Sequence, residues 1–219
     1  MCYSAESSLN AFLIGTTSSL FLLNSKNNTN KYIGFFFISV NLMQLLEYFI
    51  WKDQKCGLIN SVASRLITVV LCFQVFSLIF GGYLFNTLNI NKNLLFYVSL
   101  IIFFYMVYLI YDNFNNNLVW CSKPNKEGHL VWSNIDYNNI YTYLLSYIYM
   151  FIFLIIPLLT KDKIKSFFIL ISGFSVFLYS KLSSIYKRSF ESKWCYFSAF
   201  VPLFLIIFDF IIDYFKNKK

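Results

Sequence analysis

The sequence predicts an all-α membrane protein: seven transmembrane helices, short loops, and one long connection between the fourth and fifth helices. Three observations carry that prediction. The 219 residues are 58% hydrophobic, 22% aromatic and 13% charged, outside the range of soluble domains. Seven apolar runs each approach the roughly 20 residues that cross a hydrocarbon layer at about 1.5 Å per residue. Together they use most of the chain, so residues 1–219 form one membrane domain with no room for a second.

The first run, 6–24, has no basic residues ahead of it and no small-residue cleavage site before Asn24. It reads as a retained span rather than a cleaved leader. Polar breakers at 25–31, 53–61 and 86–93 then separate the spans 32–52, 62–86 and 93–111. After the connection 112–136 come spans 137–159, 165–185 and 193–215, divided by polar segments at 160–163 and 186–188. Inside the connection, the β-prone stretches 118–121 and 130–133 flank Pro124, Asn125 and Gly128. That pattern fits a β-hairpin lying over the end of the bundle. It also fits an irregular loop anchored at the membrane surface by its tryptophans.

Seven spans put the termini on opposite sides and sort the unusual residues. The N-terminal side collects Trp51, Trp120, Trp132, Trp194, the single His129, four of the five cysteines and seven of the ten acids. Lys and Arg divide nine to nine, but Arg65 and Lys181 fall within or at the edges of helices. Discounting them favours a cytoplasmic C-terminus and an N-terminus outside. The net charge of +8 is spread over every loop. That suits lipid headgroups, and it leaves no basic patch for nucleic acid.

The second span is the most informative helix. Asn41, Gln44, Tyr48 and Trp51 recur at three- and four-residue steps, and Glu47 lies one turn from both Gln44 and Trp51. An ionisable group at mid-membrane costs roughly 2.5–3.5 kcal/mol, so Glu47 must face the bundle, a partner or water. Arg65 would make it a salt bridge; Glu6 would share a proton or a cation with it. The third span adds Thr68, Cys72, Gln74 and Ser77. The sixth carries Ser172, Ser175, Tyr179 and Ser183, and the seventh Cys195, Ser198, Pro202 and Asp209. Such residues are ordinary helix–helix contacts in membranes. With Glu47 and Gln44 they could instead line a cavity open toward the Trp-rich side. Asp209 and Asp213 lie toward the opposite end, within reach of Lys216 or the tail.

Cys2, Cys56, Cys121 and Cys195 fall on or near the N-terminal side. In an oxidising compartment Cys56–Cys121 is the favoured loop disulfide. In a reducing one the thiols stay free or join His129 on zinc. The chain has neither a CxxC nor an HxxxH spacing, and a single His, which argues against a metal site. No cofactor is implied. A retinal Schiff base needs a lysine in the last span, and 194–215 has none. One histidine rules out the seven-span hydrolases that hold zinc through several, and a Ser-His-acid set could be assembled only through loop residue His129. No Pro-Gln pair of the kind that marks one transporter class is present.

Four segments carry a resemblance. They are Met1-Cys2-Tyr3-Ser4-Ala5-Glu6-Ser7-Ser8, Gln44-Leu45-Leu46-Glu47-Tyr48-Phe49-Ile50-Trp51, Gly128-His129-Leu130-Val131-Trp132 and Lys193-Trp194-Cys195-Tyr196. The chain resembles, along its whole length, an uncharacterised family of seven-span membrane proteins of large DNA viruses with distant bacterial relatives. The resemblance implies a shared polar set of Cys2, Ser4, Glu6, Gln44, Glu47, Trp51, His129, Trp132, Trp194 and Cys195, and implies no activity.

The residues point to binding or transport of a small polar or cationic solute near the N-terminal-side surface. The candidates are Glu6, Gln44, Trp51, Glu47, Arg65, His129, Trp132, Trp194 and Cys195. The alternative is a structural or interaction protein of a viral or cellular membrane, with the Trp-rich 112–136 connection binding a partner.

Overall fold

The computed structural model describes residues 4–115, 120–126, 128–133, 140–183, 190–216 and 218, with the backbone alone at 140–147 and 216. Helices occupy all seven expected segments: α1 (Ala5–Leu23), α2 (Asn28–Lys52), α3 (Leu58–Phe85), α4 (Lys92–Asn115), α5 (Ile140–Leu158), α6 (Lys163–Leu182), then α7 (Phe190–Ser198) followed by α8 (Val201–Lys216). Five stretches are long and apolar enough to cross a membrane: α2, α3, α4, α6 and the combined 190–215. The chain is accordingly a helical integral membrane protein.

Polar residues start the helices earlier than apolarity alone suggests. Asn27 caps α2 by accepting from the Thr29 and Asn30 amides at 2.8 and 3.3 Å, so that helix begins four residues before 32. Ser4 and Ser7 form a reciprocal capping box on α1. The N-cap of α3 is Gly57, which has no side chain to offer. Asp53 substitutes, accepting from the Gly57 and Asn60 amides at 3.0 and 3.1 Å. The turn between them passes through Cys56 in the left-handed region, at φ 62°.

The last expected span is broken. Pro202 has no amide hydrogen to offer the Ser198 carbonyl, so α7 stops there and α8 restarts at Val201 with its proline in the first turn. The connection holds a smaller hairpin than its sequence suggests. β1 (Lys123–Pro124) pairs antiparallel with β2 (Leu130–Val131), Lys123 opposite Val131. Trp120 and Cys121 stay out of the sheet because both backbone groups of Ser122 turn to Asn60: its amide donates to Oδ1 and its carbonyl accepts from Nδ2, each at 3.0 Å. Leu118 and Val119, expected in the first strand, lie outside the described residues, as does Cys2.

Helices α1, α2 and α3 pack in succession and α4 leans on α3, burying only Leu95, Ser99 and Asn113 of its described side chains. On the C-terminal side the 3–4 and 5–6 loops meet at a Leu88–Thr160 bridge. Nearby, three helices are tied together. Lys165 of α6 pairs with Asp209 of α8 at 2.9 Å and donates to the Asn30 side-chain oxygen of α2. The Asn30 amide closes the triangle on Asp209 at 2.8 Å. Asp209 therefore pairs across the bundle with Lys165, on the inward side of α8, facing α2 and α6; the side chain of Lys216, its expected local partner, lies outside the described residues. Asp209→Ala, which leaves a buried ammonium beside one neutral oxygen, is expected to lower stability by about 2–3 kcal/mol. Lys165→Met with Asp209→Leu should recover most of that in a chemical-unfolding titration.

Candidate functional site

The site is built outward from Glu47. A carboxylate one turn inside a helix end must find donors, and Gln44 and Trp132 are among those that reach it here. Gln44 Nε2, one turn earlier on α2, donates to Oε2 at 3.2 Å. Trp132 Nε1, from the segment after β2, donates to Oε1 at 3.2 Å. Gln44 and Glu47 are fully buried and Trp132 is 3% exposed. Around them Met43, Leu46, Ile50, Ala63, Ile67, Leu130 and Cys195 form an apolar cluster, with Trp51 packed against it. Enclosure by apolar side chains strengthens every polar contact inside and raises the cost of any left unmade. Two are unmade: Gln44 Oε1 is buried and accepts from no donor, and Trp51 Nε1 is buried and donates to no acceptor.

The hairpin brings Trp132 to this position as a cap. The Cys56–Cys121 disulfide ties its entry to the α2–α3 loop, with the Cα atoms 5.3 Å apart. Next to it Ser64 Oγ donates to Asn60 Oδ1 at 3.1 Å and shares a hydrogen bond with Ser122 Oγ at 2.8 Å. Ser122 Oγ in turn accepts from the Ser133 amide at 3.1 Å, drawing the exit of the hairpin back to its entry. At the tip, Asn125 and His129 exchange backbone and side-chain hydrogen bonds, and Gly128 takes φ 76°, a left-handed conformation that a Cβ disfavours. His129 is buried at the edge of the cap.

The expected set thus divides. Gln44, Glu47 and Trp132 touch, with Cys195 and Trp51 in the surrounding cluster. Glu6 is exposed in the first turn of α1, away from an occluded pair with Glu47. Arg65 is half-buried and directs Nη1 to the Asn113 carbonyl of α4 at 2.7 Å. Among the described residues the ion pair within 4 Å is Lys165–Asp209, so the expected Glu47–Arg65 bridge is not among them. Helical geometry explains it: Ser64 and Ile67 face the cap and α2, and Arg65 is a 100° step further round, toward α4. Trp194 joins a different group, edge-on to Phe153 at 4.9 Å and stacked on Phe190 at 6.3 Å. Of the sixth-span polar stripe, Ser175 and Tyr179 are exposed and cannot line the site.

Asn60, Ser64 and Ser122 hold the cap, and the sequence reading did not single them out. Three isolated small polar residues, two near a helix start and one in a loop, carry no spacing signal that joins them. Cys195 is a free buried thiol and Cys72 a free half-buried one. Among the described residues no three His, Cys, Asp or Glu side chains converge as metal ligands. No protein-family model, curated protein or solved structure matches the chain.

Proposed function

We propose that this is a seven-span membrane protein of the viral family it resembles, and that it binds or transports a small cationic or donor-rich solute at Glu47 and Gln44. The observation that carries the reading is the unpartnered Gln44 Oε1, buried beside the Glu47 carboxylate under a tethered cap. A buried acceptor with no donor, set beside a carboxylate, attracts a cation or an ammonium group. The broken last span supports the same reading, because interrupted membrane helices put free backbone carbonyls at solute sites. The Ala199 carbonyl in this break lies against α1 at Gly15.

The disulfide supports an orientation as well. A persistent Cys56–Cys121 bridge belongs in an oxidising compartment. The N-terminal side, with the cap, is therefore extracellular or lumenal and the C-terminus cytoplasmic, in agreement with the basic-residue balance. A solute would enter from outside, beneath Trp132.

The test is thermal unfolding of purified protein with sodium, potassium, calcium, ammonium or putrescine as probe. A probe at 100 times its dissociation constant should stabilise the native protein by about 2.7 kcal/mol. Glu47→Gln keeps the size of the side chain and an acceptor for Trp132, and should abolish the shift while leaving the protein folded. Equal responses of native and variant protein would reject the site. The Trp132–Glu47 bond favours one other reading, in which Glu47 anchors the cap for a partner protein. Under that reading no probe shifts the melting point, and deleting 118–132 removes a co-purifying protein.

A further inference from the structure

Away from the Glu47 cluster, three features fall on one seam, where α6 faces α2 and the α7–α8 pair. At its C-terminal-side end lies the Lys165–Asp209–Asn30 triangle, whose every member is bonded to the other two. Above it is a narrow cleft of ≈ 20 Å³ between α2, α5, α6 and the broken span, lined by Phe37, Phe153, Ile169, Gly173, Trp194 and Val201 among others. A water-sized centre needs about 10–15 Å³, so the cleft is a slot rather than a chamber. At its upper end is Trp194; the next residue of α7, Cys195, lies outside the cleft lining and packs in the same cluster as Trp132 under the cap.

The axial order is set by residue number. Ile169 is four residues beyond Lys165 and Gly173 eight, so the slot starts about 6 Å above the ion pair and continues for at least another 6 Å. Asn30 to Phe37 on α2 gives about 10 Å for the same climb. Apolar side chains at a constriction exclude water and so block ions without a covalent seal. An ionic clasp below an apolar slot is a two-part closure. The slot is also loosely filled: a Cβ on Gly173 would meet nothing within 4 Å, in contrast to Gly15 and Gly34.

We infer that this seam is the inner gate of the protein. The Lys165–Asp209–Asn30 clasp holds α6 against α2 and α8, the apolar slot above it is the closed passage, and separation of the clasp opens a route from the C-terminal side to the level of Cys195 and the Glu47 cluster. The proposal rests on the solute-site reading for its purpose, but its geometry can be tested without any solute. Outer cap and inner gate are then both closed in this structure, an occluded state of an alternating-access cycle.

Cys195 supplies the readout. In a Cys2→Ser, Cys72→Ser background, inside-out vesicles present the C-terminal side to a charged methanethiosulfonate reagent. The rate of Cys195 modification is measured with the clasp intact and with Asp209→Asn or Lys165→Met. Opening the clasp should raise the rate at least tenfold, and Gly173→Phe, which fills the slot, should return it to the intact value. An unchanged rate on breaking the clasp overturns the gate. A raised rate that Gly173→Phe does not suppress also overturns it, because the reagent then reaches Cys195 by general loosening. Asp209→Asn keeps two polar partners for Lys165 and guards against a variant that fails to fold. Loss of probe-induced stabilisation in Glu47→Gln has no bearing on this rate, so the two proposals fail separately.

Discussion

Gly34→Ala is expected to destabilise the protein by about 3 kcal/mol, at the upper end of overpacking costs, and Gly15→Ala by a similar amount. The reason lies in what the added methyl would meet. At Gly34 it would come within 2.5 Å of the Ser19 carbonyl oxygen and 2.7 Å of the Leu23 amide nitrogen, both backbone atoms of α1. At Gly15 the obstacles are Asn41 Oδ1 at 2.4 Å and the Ala199 carbonyl at 2.5 Å. A flexible side chain can rotate away; a helix backbone moves only with the whole helix. The two glycines therefore set how closely α1 approaches α2, and α1 the break between α7 and α8. A protein stable by 5–15 kcal/mol loses a large part of that margin. Two controls accompany the measurement, made by chemical unfolding in micelles. Gly82→Ala would meet only the Leu88 side chain and should cost much less. Gly173→Ala meets nothing and should be neutral or stabilising by up to about 1 kcal/mol through the unfolded chain. Equal losses at all four positions would show that helix propensity, not close approach, governs these sites.

Neither glycine was visible as important from the sequence. The inward face of α2 was read from Asn41, Gln44 and Glu47, because polar residues inside a span declare themselves by their cost. A glycine in an apolar run declares nothing, and its role depends on how near the neighbouring helix comes. The same limit explains the charged residues. Glu47 had to be buried with donors, and it is. Which donors was undetermined by spacing: a residue at one end of α3 can face α2, α4 or the cap, and Arg65 faces α4. Trp132 reaches Glu47 across 85 positions, through a hairpin whose register follows from Asn60 and Ser122. For Asp209 the sequence offers only Lys216 or the tail, because local pairs can be read from sequence and cross-bundle pairs such as Asp209–Lys165 cannot. The seven helical segments and the Glu47–Gln44 pair were legible because each follows from local periodicity and membrane cost. The cap and the clasp depend on tertiary contacts between distant segments.

Cys56→Ser with Cys121→Ser is expected to cost about 2–4 kcal/mol and to loosen the cap. The bridge closes a loop with a sequence separation of 65, for which chain entropy alone predicts about 4 kcal/mol. Within that loop α3 and α4 remain helical in a bilayer even when tertiary contacts are lost, which shortens the flexible chain and lowers the expected value toward 2. The cap has other ties: Ser122 to Asn60 and Ser64, and Trp132 to Glu47. If those suffice, the double variant loses stability while Trp132 stays buried, and acrylamide quenching of tryptophan fluorescence is unchanged. If the covalent tie is what holds the cap over Glu47, quenching rises in the variant, and a reductant produces the same rise in native protein but none in the variant. The second outcome is expected, because Asn60 and Ser64 secure only the entry of the hairpin. Its exit depends on the two Ser133–Ser122 bonds and on Trp132 itself. The serine bonds are worth about 1 kcal/mol each and the Trp132–Glu47 bond about 1.5–3 kcal/mol net, and together they must hold the indole in place against the hydration of a buried carboxylate. The disulfide would then be the element that keeps Glu47 dry, and its oxidation a condition for occluding any solute there.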